Sequence, residues 1–474
     1  MYERFGFYGM QAIMVLYAAA PRDRAGLGLS AGDAAALFGA WIGLTFLLSL
    51  PGGWVADRLC GAWRAMMVGA VVNTAGYLCL TLPVPALTVP GLALLAAGTG
   101  LYKPNYQAMV NTMFRNHADR EAGISLLYIG IQFSALVAPL VTGFLGEQVN
   151  WHLGFAVAGA VMLLCLVQLT VARRQFGTAG AQPGRPLSPR GRRSLVRWSA
   201  GAGVGSAGLI AAVLATGGLP PRALIALVGL ACLVAPVAGF VVLHRNPELD
   251  DAARTRLRAM LWIFLGSTLF WMIVAQDGSV LTLFARDHTD REVAGFVVPA
   301  SWLQSLTPLF VLLLAPVFAA VLPRIWPGPG GVPVKYSVGL FLAGGSFLLM
   351  AVAATLATGG RVSPGWLLVV FLMHACGELI IAAVGIAATA DILPPAFLSH
   401  TLGLWWLFAA LGGGLGAQVV RLADAFSLTT YFLLIGVAVT AFGGLLLARA
   451  GRTVRGLMAV EPIRVVETAD AMVS

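Results

Sequence analysis

Charge is scarce in this chain. Only 11% of its 474 residues are Asp, Glu, Lys or Arg, where a soluble domain carries about a quarter. With 59% hydrophobic residues, that deficit excludes an ordinary water-soluble fold. Cysteine is sparse as well. Cys60, Cys79, Cys165, Cys232 and Cys376 stand singly, mostly inside apolar runs, with no CxxC pair, so neither a disulfide framework nor a cysteine metal site is indicated. The six histidines are scattered, with no HExxH or paired metal spacing. No Ser/His/Asp set lies at a plausible depth, which argues against a membrane-embedded enzyme and against a resident metal or cofactor. No stretch has the composition of the large soluble domain that a non-transporting sensor would carry. Lysine is the scarcest charge of all: Lys103 and Lys335 are the only two among 30 Lys+Arg.

What is abundant is apolar sequence. A spanning helix needs about 20 mostly apolar residues. Runs of that kind centre near 5–20, 35–55, 65–83, 88–112, 124–146, 153–172, 200–216, 222–243, 260–283, 302–322, 336–357, 366–390, 401–420 and 427–448. The expectation is an all-α polytopic membrane protein of about fourteen helices. The first run is expected to be a spanning helix rather than a cleaved signal peptide, because it opens with Glu3 and Arg4 and shows no basic leader and no convincing cleavage site.

The net charge of +10 could suggest nucleic acid, but the arginines cluster in short loops beside helix ends. Residues 172–198 hold seven arginines and no acid, and the loops near 58–64, 115–120 and 254–258 and the tail at 449–455 are also basic. All fall on one side if both termini are cytoplasmic, as the positive-inside rule requires. That places the chain in the cytoplasmic (inner) membrane. The Arg/Pro/Gly-rich stretch also marks a boundary. The expected layout is an N-terminal six-helix bundle (1–174), a basic linker with two inserted helices (175–256), a C-terminal six-helix bundle (257–449) and a cytoplasmic tail (450–474). Two bundles with a site near mid-membrane between them is the logic of alternating-access transport. The inserted pair, made of Gly, Ala, Leu and Val, is expected to pack outside as a spacer.

Few ionisable residues lie within the apolar runs: Glu3 and Arg4, Lys103, Asp277 and Glu378. A lone charge at mid-membrane is costly, so such residues face a protein interior or a water-filled cavity and find partners. Lys103 and Glu378 occupy the fourth helix of each half, and the two are expected to face each other across a central cleft. A purely structural ion pair is the competing reading. Lysine can give up its proton where arginine cannot, so Lys103 points to a proton-coupled cycle. Pro104 follows it directly and loosens the helix there, either as a hinge or as a packing kink. In "GGWVADRLCGAWR" (52–64), Gly53, Asp57, Arg58 and Arg64 read as a cytoplasmic gate, with ordinary topology charge as the alternative. His374 sits one turn before Glu378 on the same face, as packing or as a supporting residue.

These segments together resemble the proton-dependent oligopeptide transporters of the major facilitator superfamily. The motifs are "YERFGFYGM" (2–10), "GGWVADRLCGAWR", "GTGLYKPN" (98–105), "FWMIVAQDGS" (270–279), "WLQSLTPLFVLLLAPVFA" (302–319) and "GELIIAAVGI" (377–386). They run in family order over nearly the whole chain. The resemblance implies that Glu3, Arg4 and Lys103 take part in proton coupling. It further implies that Arg4 and Lys103 hold the substrate carboxylate, that Glu378 receives the amino group, and that Tyr8 and Trp405 line the pocket. The family's first helix-1 acid would fall one residue before Met1, so either the true start lies upstream or that acid is missing. Other departures are Gln132 and Thr307 at asparagine positions, Phe7 and Phe46 at tyrosine positions, and Ala382-Ala383 for Ser-Pro. The seventh-helix acid is replaced by Ala275, with Asp277 two residues on. Two residues turn a helix by about 200°, so Asp277 is expected off the pocket face, near the outer end and solvated. The implied function is proton-coupled symport of di- and tripeptides, with protons, peptides and lipid as the only partners. The alternative is a divergent carrier of another amphiphilic or anionic solute with altered coupling.

Overall fold

A backbone in an apolar phase has no water to bond, and a helix satisfies its peptide groups within one segment. That is what the apolar runs do. The computed structural model describes residues 1–113, 117–184, 186–188, 191, 221–394 and 397–459. The first half comprises α1 (Tyr2–Ala19), α2 (Ala31–Val55), α3 (Ala62–Thr81), α4 (Thr88–Met113), α5 (His117–Phe144) and α6 (Trp151–Val171). Next come α7 (Pro221–His244), α8 (Asp251–Val274), the short α9 (Val280–His288), α10 (Leu306–Val321), α11 (Val332–Leu356) and α12 (Gly365–Ala390). The described chain ends with α13 (Leu398–Val419), α14 (Leu422–Ala425), α15 (Leu428–Ala448) and α16 (Ala450–Leu457). Eleven described helices are long and apolar enough to cross a membrane, and the chain is a multi-pass membrane protein. The expected span near 200–216 lies outside the described residues.

Local sequence signals set several helix starts. The side chains of Ser30, Asn150, Asp250 and Ser427 accept hydrogen bonds from the backbone N–H groups of Asp33, His152, Ala253 and Thr430, donors that the first helical turn leaves without a partner. One expected span is shorter than its apolar run. The run near 260–283 stops as a helix at Val274, and α9 begins only at Val280.

The two halves repeat one packing plan. In the first, α1 packs on α5 and α6, α3 on α4 and α6, and α2 on α4; in the second, α8 packs on α13, α11 on α12 and α15, and α10 on α12. Each half has its own apolar core, joined near one end by Val15, Leu16, Ala34 and Ala35. The halves meet where α2 crosses α13 and α5 crosses α10. The α2–α13 crossing is close enough to need glycine: a Cβ at Gly39 would lie 2.8 Å from Ala417 Cα. Of the expected inserted pair the described residues contain α7, and it is more than a spacer. It packs on α2 and α13 together, with buried Cys232 against Gly43 and Gly414.

At the end of the molecule that carries Arg58, Arg64 and Arg173, Arg173 stacks over Trp63 at 4.8 Å, and in the second half Arg449 stacks over Trp262 at 4.5 Å. At the opposite end the halves are tied together. Glu147, after α5, accepts from the backbone N–H groups of Ala300 (2.8 Å) and Ser301 (2.9 Å) and from the Ser301 hydroxyl. Trp302 Nε1 donates to the Leu140 carbonyl at 2.9 Å, and Gln304 Nε2 to the Ala12 carbonyl at 3.2 Å.

Candidate functional site

Between the halves lies a cavity of about 200 Å³. From α1 it receives Arg4 and Tyr8, from α2 Phe46, from α4 Lys103 and from α5 Gln132. The second half contributes Asp277, Thr307, Glu378 and Trp406. Six of the residues expected to hold substrate (Arg4, Tyr8, Lys103, Gln132, Thr307 and Glu378) thus line one space, although they are separated by up to several hundred residues in sequence. Cations stand on one wall and carboxylates on the other.

The sequence explains how Lys103 reaches that wall. Pro104 cannot donate to the Gly100 carbonyl, and the oxygen left over faces Gly52 of α2, where any side chain would collide with it. Asn105 Nδ2 bonds the Gly52 and Leu101 carbonyls at 3.3 and 2.6 Å. The "GG" and "KPN" motifs therefore meet in one tight crossing inside the first half, and α4 stays continuous through its proline. Gly53 faces Pro104 in the same crossing.

Lys103 does not pair with Glu3. Its Nζ lies 3.9 Å from the Phe46 ring centroid and 5.0 Å from that of Trp406, and the two rings stack at 6.2 Å with 12° between planes. Phe46 belongs to one half and Trp406 to the other, so the ammonium bridges the halves by cation–π attraction. Glu3 instead binds Arg4 through two hydrogen bonds of 2.6 Å, both side chains buried. Glu3 lies away from the central cavity, on a second cavity of about 160 Å³ within the first half that Arg4 also lines.

Two expectations are overturned. Trp405 does not line the cavity: it is fully buried, and its Nε1 donates to the Tyr336 hydroxyl at 3.4 Å. Adjacent residues on a helix point about 100° apart, and it is Trp406 that faces the cavity. A "WW" pair gives no sign of which ring turns inward.

Asp277 is neither solvated nor turned away. It is 8% exposed, lines the cavity beside Ala275, and contacts the buried His374: Asp277 Oδ1 lies 2.7 Å from His374 Nδ1. Its Oδ2 accepts from Thr307 Oγ1 at 3.4 Å. The helix ends at Val274, before a helical rotation could carry Asp277 off the pocket face. After Val274 the backbone tightens into bonds three residues back, Gln276 to Ile273 and Asp277 to Val274, and Ser279 leaves helical geometry at φ −131°, ψ −97°. Gly278 permits the turn to press on the Phe38 ring of α2. The one signal that could have located Asp277 is His374, a buried imidazole one turn before Glu378.

At the arginine-rich end, Asp57 and Arg64 are exposed and Arg58 is half-buried. Among the described residues they form no ion pair with the second half, so the cross-bundle pairing expected of a gate is not made here. The Arg58 carbonyl instead accepts from Leu187 N–H at 3.2 Å.

Known proteins share this architecture. The uncharacterized transporter YclF of Bacillus subtilis (strain 168) is 34% identical over 452 residues, covering 94% of this chain and 90% of that protein. The di-/tripeptide transporter of Lactococcus lactis subsp. cremoris is 31% identical over 448 residues, 92% of this chain and 90% of its own. A crystal structure of peptide transporter POT in complex with sulfate superposes with a TM-score of 0.92 at 37% identity, covering 97% of this chain and 94% of that one. A POT family transporter in complex with 5-aminolevulinic acid gives 0.90 at 26% identity, covering 95% and 94%. The model of the POT family matches residues 63–434, more than half of the sequence, and the chain belongs to that family.

Proposed function

We propose that this protein carries di- and tripeptides together with protons across the cytoplasmic membrane by alternating access. The observation that carries the reading is the polarity of the central cavity, with Arg4 and Lys103 on one wall and Glu378 and Asp277 on the other. A short peptide is a zwitterion, and its two ends need opposite charges at opposite walls. Arg4 and Lys103 take the carboxylate, Glu378 takes the ammonium, and Tyr8, Gln132 and Thr307 offer hydrogen bonds to the peptide link. Phe46 and Trp406 supply apolar surface that tolerates varied side chains. Relatives named as di-/tripeptide transporters support this substrate class. So does a family structure holding 5-aminolevulinic acid, which also bears an amine and a carboxylate at opposite ends.

Proton coupling follows from competition for Arg4. A peptide carboxylate arriving at Arg4 displaces Glu3, and a buried carboxylate without its cation is stabilised by taking a proton. Lys103 acts in the same exchange, its ammonium leaving the two rings for the substrate. The arginine-rich end is cytoplasmic, as are both termini. The opposite end is closed by Glu147 and Trp302, and Asp57, Arg58 and Arg64 beside Gly53 form the gate when the cytoplasmic end closes. The test is uptake of labelled dialanine into proteoliposomes with and without an inward proton gradient. Accumulation should require the gradient, while counterflow should not. Counterflow without any gradient-driven accumulation would show a peptide uniporter instead.

A further inference from the structure

His374 is fully buried on α12 between a cavity carboxylate and a hydroxyl of the neighbouring helix. Its Nδ1 lies 2.7 Å from Asp277 Oδ1, and its Nε2 lies 2.7 Å from Ser346 Oγ on α11. Ser346 Oγ also lies 2.6 Å from the Ala343 carbonyl oxygen. These contacts can be counted in protons. A carboxylate and a carbonyl only accept, a hydroxyl carries one hydrogen, and a neutral imidazole carries one. If the Ser346 hydrogen points at Ala343, both ring nitrogens must donate, and the pair is an imidazolium against an aspartate. With one proton fewer, the ring keeps its hydrogen on Nδ1 toward Asp277, and Ser346 turns its own hydrogen to Nε2. Neither state leaves the ring nitrogens without partners. Between them the Nε2 proton leaves and one hydroxyl rotates, with no movement of a helix.

A buried histidine held only for packing needs no such arrangement, and this one is connected to the cavity through Asp277. We propose that the Asp277–His374–Ser346 group is a proton-carrying site of the transport cycle, with His374 as the group that holds the proton and Ser346 as the residue that positions it. Loading adds one proton and one positive charge to the pair, and release removes both. The other charged groups facing this site are Glu378, one turn along α12, and Arg4 and Lys103 across the cavity. The remaining elements against α12 present no charged side chain to the cavity: α10 offers Thr307, α13 offers Trp406, and residues 300–305 offer Gln304. The proposal rests on the proton-coupled reading above. It differs from the exchange at Glu3 and Arg4 in lying wholly in the second half.

The test is solid-state ¹⁵N NMR of the full chain in liposomes with labelled histidine, the His374 signals being those lost in His374→Gln. The expected result is two protonated ring nitrogens at the acid end of the range and one at the alkaline end. In Ser346→Ala the doubly protonated share at a given pH should fall, because a charged donor loses more than a neutral acceptor does when its partner goes. A single protonation state across the whole range overturns the proposal. This readout needs no transport, so it is independent of whether dialanine is the substrate. In proteoliposomes, an inward gradient of one pH unit supports about tenfold accumulation per coupled proton. His374→Gln should lose that factor while counterflow remains measurable, and unchanged accumulation in this variant also overturns the proposal. If counterflow is lost too, the titration and its response to Ser346→Ala decide.

Discussion

On the first-half wall of the cavity, Arg4 and Lys103 project from helices that run unbroken through them. On the facing wall, Asp277 projects from a turn where the helix has ended, and it leans on His374 of a different helix. The two walls also treat their charges differently. Both cations lie over rings, Arg4 over Phe7 at 4.7 Å and Lys103 over Phe46. Among the described residues the Lys103 ammonium is held by its rings alone, whereas Arg4 is also bound by Glu3, which an incoming carboxylate must displace. On the acid wall, Asp277 is committed to His374, whereas Glu378 makes no ion pair among the described residues. Each wall thus offers one charge without an ion-pair partner among the described residues, Lys103 or Glu378, and keeps a second engaged, Arg4 by its sequence neighbour Glu3 and Asp277 by the distant His374.

The sharpest way to break this comparison is at the two neighbouring tryptophans of α13. Trp405→Ala removes a fully buried ring from the second-half core and should cost about 3–5 kcal/mol of stability, read as a fall in the melting temperature in detergent. Trp406→Ala removes a half-buried cavity ring and should weaken peptide affinity with little change in melting. Equal melting losses in both would show that the register of α13 is wrong.

Next in size is Glu378→Gln. Losing one charge-assisted hydrogen bond to the substrate amine should cost roughly 1.5–3 kcal/mol of affinity, measured by competition with labelled dialanine. N-acetylated dipeptides lack the ammonium and should be affected far less. Equal losses for both ligands would remove Glu378 from the role of amine anchor.

Lys103→Arg separates the two properties of the cationic wall. Arginine keeps the charge and stacks on Phe46 and Trp406 as well as lysine does, yet it does not release its proton. Gradient-driven accumulation should fall by about tenfold per pH unit of gradient, with exchange partly retained. Full driven accumulation in this variant would place the coupling elsewhere.

The smallest effect is expected where the halves are latched. In Glu147→Gln an ionised acceptor of the Ala300 and Ser301 amides becomes neutral, a loss of about 1 kcal/mol and a shift of roughly fivefold toward an opening of that end. Spin-label distances across that end should show the added population. No change in the distance distribution would mean that the remaining contacts across that end, those of Gln148, Trp302, Gln304 and Ser305, hold the latch without the Glu147 charge.

Much of this protein could be read from composition and order alone. Apolar runs of bilayer length become helices wherever water is absent, because the backbone has no other way to pair its peptide groups. Arginine clusters mark one end of the molecule. The few charges written into apolar segments were sound guides because burying an unused charge is so costly, and Arg4, Lys103 and Glu378 do line the central cavity. Tertiary structure alone decided three further points. A helical register extrapolates only while the helix lasts, so Asp277 was misplaced by a turn that begins after Val274 and is pressed against Phe38. Which of two adjacent tryptophans faces inward depends on what packs behind α13, here Tyr336 and Ser267. The partner of Glu3 is Arg4 rather than Lys103, because the second half brings Trp406 to complete the aromatic seat under the ammonium. Glu3 and Arg4 are neighbours in the chain, but the contacts of Gly278 with Phe38, of Trp405 with Tyr336 and of Lys103 with Trp406 join residues distant in sequence, and local propensity carries no information about them.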